Sequence, residues 1–198
     1  MRFLAGVLLA LALVPLAAAA QRWKTHQVKA AGFRVAAPAT WIDVTRLTPQ
    51  VLAKENEVPG LRAYVEAARK SKLIKLIVVD VGPTTVKNHF ASGVNVTQVP
   101  TIGDLRLQRD ATIAQLKAAG ILVGAVQSRY VSLAAGKALR LSYRARFAAG
   151  TPVVASLQFV FVHAGKATVL TYTTLPKLQS HYATTFSRSA QSFRFVAN

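Results

Sequence analysis

The sequence predicts an α+β protein in which helices pack against an antiparallel sheet, and three observations carry that prediction. Apolar and polar residues alternate in successive short runs over 126–174, which is the period of half-buried strands. Short connections that contain glycine join the runs and favour consecutive antiparallel hairpins. Other segments repeat apolar residues at helical spacing, so helices are available to cover the apolar side of the sheet.

Four strands are predicted in the region 126–174, and the lengths of their connections predict how they pair. The strands cover 126–133, 139–147, 154–162 and 168–174. The connections pair Leu133 with Ala138, Ala148 with Pro152, and Val162 with Ala167. A slip of one residue would turn a whole strand over, so the burial pattern itself selects this register.

This register separates the side chains of the four strands into a cationic polar face and an apolar face. The polar face is predicted to carry Arg129, Arg140, Ser142, Arg144, Arg146, Ser156, Gln158, Thr171 and Thr173. The apolar face is predicted to carry Leu139, Leu141, Tyr143, Phe147, Leu157, Phe159, Phe161, Leu170 and Tyr172.

The remaining elements follow from local signals. Strands are predicted over 32–38, 72–81 and 94–97, with 23–30 as a first strand or a lead-in. Helices are predicted over 48–57, 61–70, 105–119 and 176–186, with 84–93 as a loop, and 192–195 closes the domain. The strand 72–81 is apolar on both faces, which places it in the middle of the sheet. A capping-box pattern over 101–104 opens the third of these helices, and Pro176 opens the last one.

Charge and cysteine content limit the possible partners and chemistry. The chain has 198 residues, 25 basic and 7 acidic side chains, a net charge of +18 and no cysteine. The absence of cysteine excludes disulfides, thiolate metal sites and a cysteine nucleophile. The positive charge predicts attraction to anionic partners and says little about the fold.

The first twenty residues have the pattern of a secretory signal peptide. Arg2 precedes a leucine-rich run that is short for a membrane span, and small residues precede a cleavage position at Ala20-Gln21. An uncleaved anchor is the alternative. We expect residues 1–20 to be a signal peptide and 21–198 to form a single α+β domain that is exported, which makes nucleic acid a poor physiological partner.

The predicted cationic face is the one arrangement with a geometry suited to binding. Arg129, Arg140, Arg144 and Arg146 lie with Gln158 among hydroxyl groups, and guanidinium groups bind carboxylate or phosphate oxygens bidentately. These five residues are the predicted binding residues. The alternative is an ordinary solvated sheet face, or one covered by a helix.

Catalytic and metal-binding patterns are not found in the sequence. The four histidines, His26, His89, His163 and His181, show no metal-ligand spacing, and no nucleophile elbow, phosphate loop or dinucleotide fingerprint occurs. We therefore predict no catalytic residues, no metal and no cofactor. Asp80 ends a buried strand, where an ion pair is the simpler explanation and a catalytic role with a nearby histidine is the alternative.

Several short motifs together resemble a known family. They are Gly32-Phe33 with Pro38 and Trp41, the strand 94–96 before a proline and a helix, Leu133 to Gly136 ahead of the Tyr143 strand, the Gln158 strand, Gly165-Lys166 before 170–173, and Ser192-Phe193. This pattern resembles the LpqN-type secreted proteins of the PsbP-like superfamily. The resemblance implies a sandwich with helices on both sides of the sheet, and a docking role without shared catalytic residues. Lipoproteins of that type carry an acylated cysteine, which this chain lacks.

These observations predict an exported, basic, non-enzymatic protein of the cell envelope. Its expected partner is an anionic envelope polymer, a lipid head group or an acidic protein, and we expect the protein to be a monomer with no transmembrane span after cleavage. Two alternatives stay open: a hydrolase that uses Asp80 and a histidine, and a structural envelope protein.

Overall fold

The computed structural model describes residues 21–47, 66 and 70–197, and it confirms the α+β class with an antiparallel sheet. The strands are β1 (Trp23–Val28), β2 (Phe33–Pro38), β3 (Ile42–Asp43), β4 (Ile74–Val79), β5 (Gly93–Pro100), β6 (Gln127–Leu133), β7 (Gly136–Ala145), β8 (Val154–His163), β9 (Lys166–Thr174) and β10 (Arg194–Phe195). The α-helices of the described residues are α1 (Pro83–Asn88), α2 (Leu105–Ala118) and α3 (Gln179–Ser192).

Within the ranges just given, seven strands form the main sheet in the order β3-β4-β5-β9-β8-β7-β6, and three form a smaller sheet in the order β1-β2-β10. Every pair in both sheets is antiparallel. The strands β6 to β9 are consecutive hairpins, as their alternation and short connections predicted. Because β9 then pairs with β5, the meander is joined to the earlier strands and β6 is left as one edge of the main sheet.

The hairpin register is right at one end of the meander and wrong at the other. In β8 and β9, Val162 pairs with Ala167 as predicted, because Ala164 and Gly165 adopt the positive φ angles of a tight two-residue turn. Between β6 and β7, the pairing of Leu133 with Gly136 is tighter than predicted but leaves each face unchanged. Between β7 and β8 the register differs by one residue, so that Ser142 lies opposite Leu157.

The slip between β7 and β8 mixes the two predicted faces. The arginines of β6 and β7 share their face with the apolar residues of β8 and β9, namely Leu157, Phe159, Phe161, Leu170 and Tyr172, which the sequence placed opposite them. The prediction of one cationic and one apolar face is therefore wrong. The prediction is wrong because both faces of the sheet are covered by other parts of the protein, so apolar residues are needed on both faces.

One face of the main sheet packs against the small sheet and α3. Its core contains Val78, Val96 and Phe161 from the main sheet, Phe33 from β2, and Phe186 from α3, all buried. The face carrying these residues is called face B below. Along α3, Tyr182, Phe186, Ser189 and Ala190 are buried, which is the helical spacing of a single inward stripe.

The opposite face of the main sheet, called face A, packs against α2 and the chain around it. Leu139, Leu141 and Val160 are fully or almost fully buried there, and Ile113 and Leu116 of α2 pack against them. Helices on both sides of the sheet are therefore confirmed. Burial of apolar groups on two faces also explains why β4 is apolar apart from Lys75: Leu76 and Ile77 point to opposite faces and both are buried.

Three helix beginnings differ from the sequence prediction. The helix predicted from Pro176 is a 3-10 turn over Pro176–Leu178 followed by α3 from Gln179. The segment 84–93, predicted as a loop, contains most of α1, which begins with Pro83 at its first turn. The helix α2 forms as predicted, but its N-cap is Asp104, whose Oδ1 accepts hydrogen bonds from the N–H groups of Arg106 and Leu107 at 2.9 Å each. Short polar side chains accept these bonds at either position of a capping pattern, so the pattern alone did not identify the cap.

Some predictions fall outside the described residues. They are the signal peptide over 1–20, the helix over 48–57, and most of the helix over 61–70. Of that last helix only Glu66 and Lys70 are described, and both are helical.

Candidate anion-binding groove

A groove opens on face B where the sheet extends beyond α3. The strands β6, β7 and β8 form its floor and α3 forms one wall, enclosing a volume of about 310 Å³. We call it the basic groove. Its lining residues are Gln127, Arg129, Arg140, Ser142, Ala155, Ser156, Leu157, Phe159, Gln179, Ala183, Phe186 and Ser187.

The groove contains two arginines that are direct cross-strand neighbours. Arg129 of β6 pairs with Arg140 of β7 in the register of the sheet, which brings their Cβ atoms to about 5 Å. Among the described residues, neither guanidinium forms an ion pair with a carboxylate. The strands thus hold two like charges side by side, with no compensating acid from the part of the chain that the structure describes.

The electrostatics of Arg140 reflect this arrangement. Burial first, and then the positive charge of Arg129, lower the pKa of the Arg140 guanidinium below its ordinary value. The group stays protonated at neutral pH because a guanidinium titrates far above that range. An anion placed between the two arginines would remove both the repulsion and part of the desolvation cost of this site.

Polar and apolar groups alternate around the arginines. Ser142 lies on β7 two residues beyond Arg140, and its Oγ donates to Gln127 Oε1 at 3.5 Å. Leu157 and Phe159 form the apolar part of the floor. Such a surface suits a ligand that presents carboxylate or phosphate oxygens together with apolar atoms.

The wall of the groove was missed by the sequence analysis. Gln179, Ala183 and Ser187 of α3 line it, and all three are exposed. Their spacing of four residues puts them on one helical face, next to the buried stripe of Tyr182, Phe186 and Ala190. This spacing is the signal that marks the wall, but it becomes meaningful only once the position of α3 over the sheet is known.

The structure brings three of the five predicted binding residues to one face of the sheet. Arg144 lies on face B beyond Ser142 and is exposed, in line with Arg129 and Arg140. Arg146 lies after the end of β7, where its backbone N–H donates to the Ile121 carbonyl at 2.8 Å. There it lines a separate surface depression beside Phe147, whose side chain is 60% exposed.

Gln158 does not share the face of the arginines. The slip between β7 and β8 places it on face A, where its Nε2 donates to Thr171 Oγ1 at 3.1 Å. Its Oε1 is buried without a hydrogen-bond partner among the described residues. The sequence prediction that placed Gln158 beside the arginines is therefore wrong.

Asp80, the residue of the enzymatic alternative, is held by structural hydrogen bonds. Its Oδ1 accepts from the Gly82 N–H at 2.8 Å, and its Oδ2 accepts from the Tyr182 hydroxyl at 2.5 Å. Burial first, and then the Asp80 hydrogen bond and charge, raise the pKa of the Tyr182 hydroxyl well above its ordinary value. Tyr182 therefore stays a hydrogen-bond donor, and the pair ties the end of β4 to α3.

None of the four histidines, all of them within the described residues, hydrogen-bonds to Asp80. His26 is buried with its Nδ1 at 3.5 Å from Asp43 Oδ2, His163 stacks on Phe195 at 4.3 Å, and His181 packs edge-on against the Tyr182 ring at 4.7 Å. His89 is the exposed residue that follows α1. No three His, Asp or Glu side chains of the described residues lie together in a group that could hold a metal ion.

Among the helices within the described ranges, none has the length and apolar character to cross a bilayer. Comparisons of sequence find no matching protein-family model and no matching curated protein.

Comparisons of structure do find similar folds. Cyanobacterial PsbP (CyanoP) from Synechocystis sp. PCC 6803 aligns with a TM-score of 0.53 at 14% identity, over 87% of this chain and 92% of that chain. The Ran-binding protein Mog1p of Saccharomyces cerevisiae aligns with a TM-score of 0.52 at 10% identity, over 89% and 96% of the two chains.

LpqN, involved in cell envelope biogenesis of Mycobacterium tuberculosis, aligns with a TM-score of 0.46 at 9% identity, over 91% of this chain and 88% of that one. The narrower resemblance to the LpqN type therefore stays a prediction. The antiparallel sheet, the helices on its two faces and the alignments with CyanoP and Mog1p together give this chain a PsbP-like α+β fold.

Proposed function

We propose that this chain is an exported, non-enzymatic binding or accessory protein that docks through the basic groove onto an acidic protein or another anionic component of the cell envelope. The observation that carries the proposal is the Arg129–Arg140 pair. Two arginines on neighbouring strands, without a carboxylate partner among the described residues, line a groove with a volume of about 310 Å³. Like charges placed directly opposite each other cost stability, so a partner that supplies negative charge is the natural complement.

Three further observations support the proposal. The net charge of +18 attracts anionic partners over distances beyond direct contact. The signal-like pattern over 1–20 supports export, where anionic polymers, lipids and envelope proteins are available. The PsbP-like fold also occurs in a protein described as Ran-binding, so the fold is compatible with docking onto a protein.

The experiment measures retention of the purified protein on two anionic probes, polyglutamate and vesicles containing phosphatidylglycerol, with phosphatidylcholine vesicles as the neutral control. We expect the protein to bind at least one anionic probe, and binding to weaken strongly between 0.05 and 0.5 M salt because exposed charges are screened. Replacing both groove arginines, Arg129→Gln with Arg140→Gln, should weaken binding by about tenfold or more.

A matched variant separates the groove from the total charge. Arg106→Gln with Lys117→Gln removes the same charge from α2, where both residues are exposed and lie on the far side of the sheet. Equal losses in the two variants would contradict a groove-specific site. Binding that is indifferent to salt would contradict the electrostatic basis of the proposal.

No observation favours the enzymatic alternative. Both oxygens of Asp80 accept hydrogen bonds from Gly82 and Tyr182, and no histidine of the described residues bonds to it. For the structural alternative, size-exclusion chromatography over a range of protein concentrations is the discriminating measurement, because a stable oligomer would support it and a monomer would argue against it.

A further inference from the structure

No strand of the described residues pairs with the outer edge of β6. The main sheet ends at β6 on one side and at β3, which has two residues, on the other. β6 has seven residues, pairs with β7 along its whole length, and has no other strand or backbone partner among the described residues. On β1, the long edge of the small sheet, Arg46 Nη2 donates to the Gln27 carbonyl at 3.2 Å.

The pairing geometry identifies which backbone groups face outward. On the β6 side of β7, the Val123 N–H donates to the Arg144 carbonyl and the Arg146 N–H donates to the Ile121 carbonyl, at 2.9 and 2.8 Å. Even-numbered residues of β7 therefore direct their backbone groups toward β6. Since Arg140 pairs with Arg129, the odd-numbered residues of β6 bond to β7.

The backbone N–H and C=O groups of Ser128, Tyr130 and Ser132 consequently point outward. All three residues are exposed and uncharged, and β6 contains no proline. Open edges of natural sheets are usually protected by charged residues, proline or a covering segment. β6 carries one charged residue, Arg129, whose side chain lies on face B beside the basic groove.

Side chains on both faces of this edge would contact an added strand. On face B, Arg129 and Arg140 form no ion pair with any carboxylate of the described residues, and Val131 beyond them is half-buried and apolar. On face A, the Tyr130 ring is 42% exposed, with Lys137 Nζ at 5.2 Å from its centre. A strand beside β6 therefore meets positive charge on one face and an aromatic surface next to positive charge on the other.

From this arrangement we propose that β6 accepts an extended acidic segment of a partner protein as an eighth strand of the main sheet. The proposal rests on the proposed function and names the form of its ligand. Backbone hydrogen bonds to Ser128, Tyr130 and Ser132 supply affinity, and carboxylates on alternate residues of the segment meet the arginines on face B.

Charge and chemistry favour this occupant over two others. A second copy of the chain pairing edge to edge would bring the Arg129 side chains of the two chains together, and the repulsion opposes it. Lipid head groups carry negative charge but cannot continue the backbone ladder of β6.

The test uses the full chain and a fluorescent peptide of alternating sequence, Glu-Val-Glu-Thr-Glu-Val-Glu, with both ends blocked. Two further peptides have the same sequence with N-methyl groups on alternate amides. Each of them lacks the N–H donors along one of the two edges of the peptide strand. We expect the unmodified peptide to bind, and one N-methylated version to bind about tenfold more weakly or worse, because it keeps the charge and loses the backbone donors.

Substitutions on the protein give the complementary measurement. Ser132→Pro removes an outward N–H without removing a bond to β7, and proline is tolerated in edge strands when its nitrogen faces solvent. We expect this variant to bind the unmodified peptide about tenfold more weakly than the wild type does. We also expect it to keep more of its affinity for long, flexible polyglutamate than the double variant Arg129→Gln, Arg140→Gln keeps. Circular dichroism and thermal unfolding establish that each variant is folded, and the N-methylated peptides test the wild-type chain in any case.

Each other result overturns the proposal in a recognisable way. If both N-methylated peptides bind as tightly as the unmodified one, the interaction is electrostatic only and strand addition is wrong. If the anionic probes bind and the peptide does not, strand addition is wrong while the proposed function stands. If neither the anionic probes nor the peptide binds, strand addition and the proposed function are both wrong. Dimerisation that Ser132→Pro abolishes would assign the edge to a second copy.

Discussion

At Arg129 and Arg140, the sheet places two like charges on directly opposite residues of neighbouring strands. Cross-strand pairs of like charge are destabilising, and burial first, then the charge of Arg129, lower the pKa of the Arg140 guanidinium. At this scale the basic groove is a local conflict between stability and recognition, and single substitutions should separate the two.

The first prediction concerns the stability cost of this pair. Arg129→Gln should raise the free energy of unfolding by about 0.2–1 kcal/mol at low ionic strength, because it removes the repulsion. The same variant should bind anionic probes more weakly. Urea unfolding at 0.02 M and 0.5 M salt measures the effect, which should shrink at the higher salt. A variant that is less stable than the wild type at low salt would contradict this view of the pair.

A second residue-scale prediction concerns Asp43, which joins the main sheet to the small sheet. Burial alone would raise the pKa of its carboxyl, but the His26 ring at 3.5 Å, the hydrogen bonds from Thr45 and the charge of Arg46 hold that pKa below its ordinary value. A carboxyl with a lowered folded-state pKa adds stability above about pH 4, and that stability is lost as the pH falls through the folded pKa.

The measurement compares wild type and Asp43→Asn by urea unfolding between pH 2 and 7. The wild type should be the more stable protein above about pH 4, and the difference should shrink below it. The lowered pKa of Asp104 affects both proteins alike, so it cancels in the comparison. A difference that stays constant down to pH 2 would show that the charge of Asp43 contributes nothing.

At the scale of elements, α3 determines the wall of the groove. Phe186 stacks on Tyr182 at 5.5 Å and packs against Tyr172 at 5.1 Å and the edge of Trp41 at 6.3 Å. It is 4% exposed. The Phe186 side chain therefore packs α3 against β9 and against Trp41, which lies just after β2, and it also lines the groove.

The third prediction follows from that packing. Phe186→Ala should lower the free energy of unfolding by about 3–5 kcal/mol, the cost of a large cavity in an aromatic core. Thermal or urea unfolding measures it. The exposed neighbour Ser187→Ala serves as the control and should change stability by less than about 0.5 kcal/mol. A small effect of Phe186→Ala would mean that α3 is held by other contacts.

The elements also show what sequence alone could and could not predict. The strands β6 to β9 were predictable because alternation and short connections are local signals. The register of β7 and β8 was not, since alternation continues to Phe147 in the sequence whereas the strand ends at Ala145. Phe147 was assigned to the apolar face, but it is 60% exposed in the connection that follows.

The groove was therefore only partly predictable. The arginines of β7 were placed correctly because they alternate along one strand, which no change of register alters. Arg129 stayed on their face because the pairing of β6 with β7 differs from the predicted one by two residues, an even number. Gln158 was misplaced because its face depends on the register between β7 and β8. The wall from α3 depends on where the helix packs, a long-range property that no local pattern contains.

At the scale of the whole molecule, the excess of basic residues acts as a diffuse repulsion. The net charge of +18 destabilises the compact state by self-repulsion while it keeps the protein dispersed. We expect the thermal unfolding midpoint to rise as salt is increased from 0.02 to 0.3 M, where the screening length becomes shorter than the spacing of most surface charges. Differential scanning calorimetry measures this, and a midpoint that falls with salt would show that attractive pairs dominate.

The most direct test of the basic groove as the docking site is to map an anionic ligand onto the protein by two-dimensional NMR. Isotope-labelled protein is titrated with polyglutamate, and the changes in amide chemical shift are placed on the structure. We expect the largest changes in 127–132, 138–144 and 179–187, around the basic groove and the edge of β6. Changes centred on α2, or spread evenly over all basic residues, would contradict the groove as the docking site.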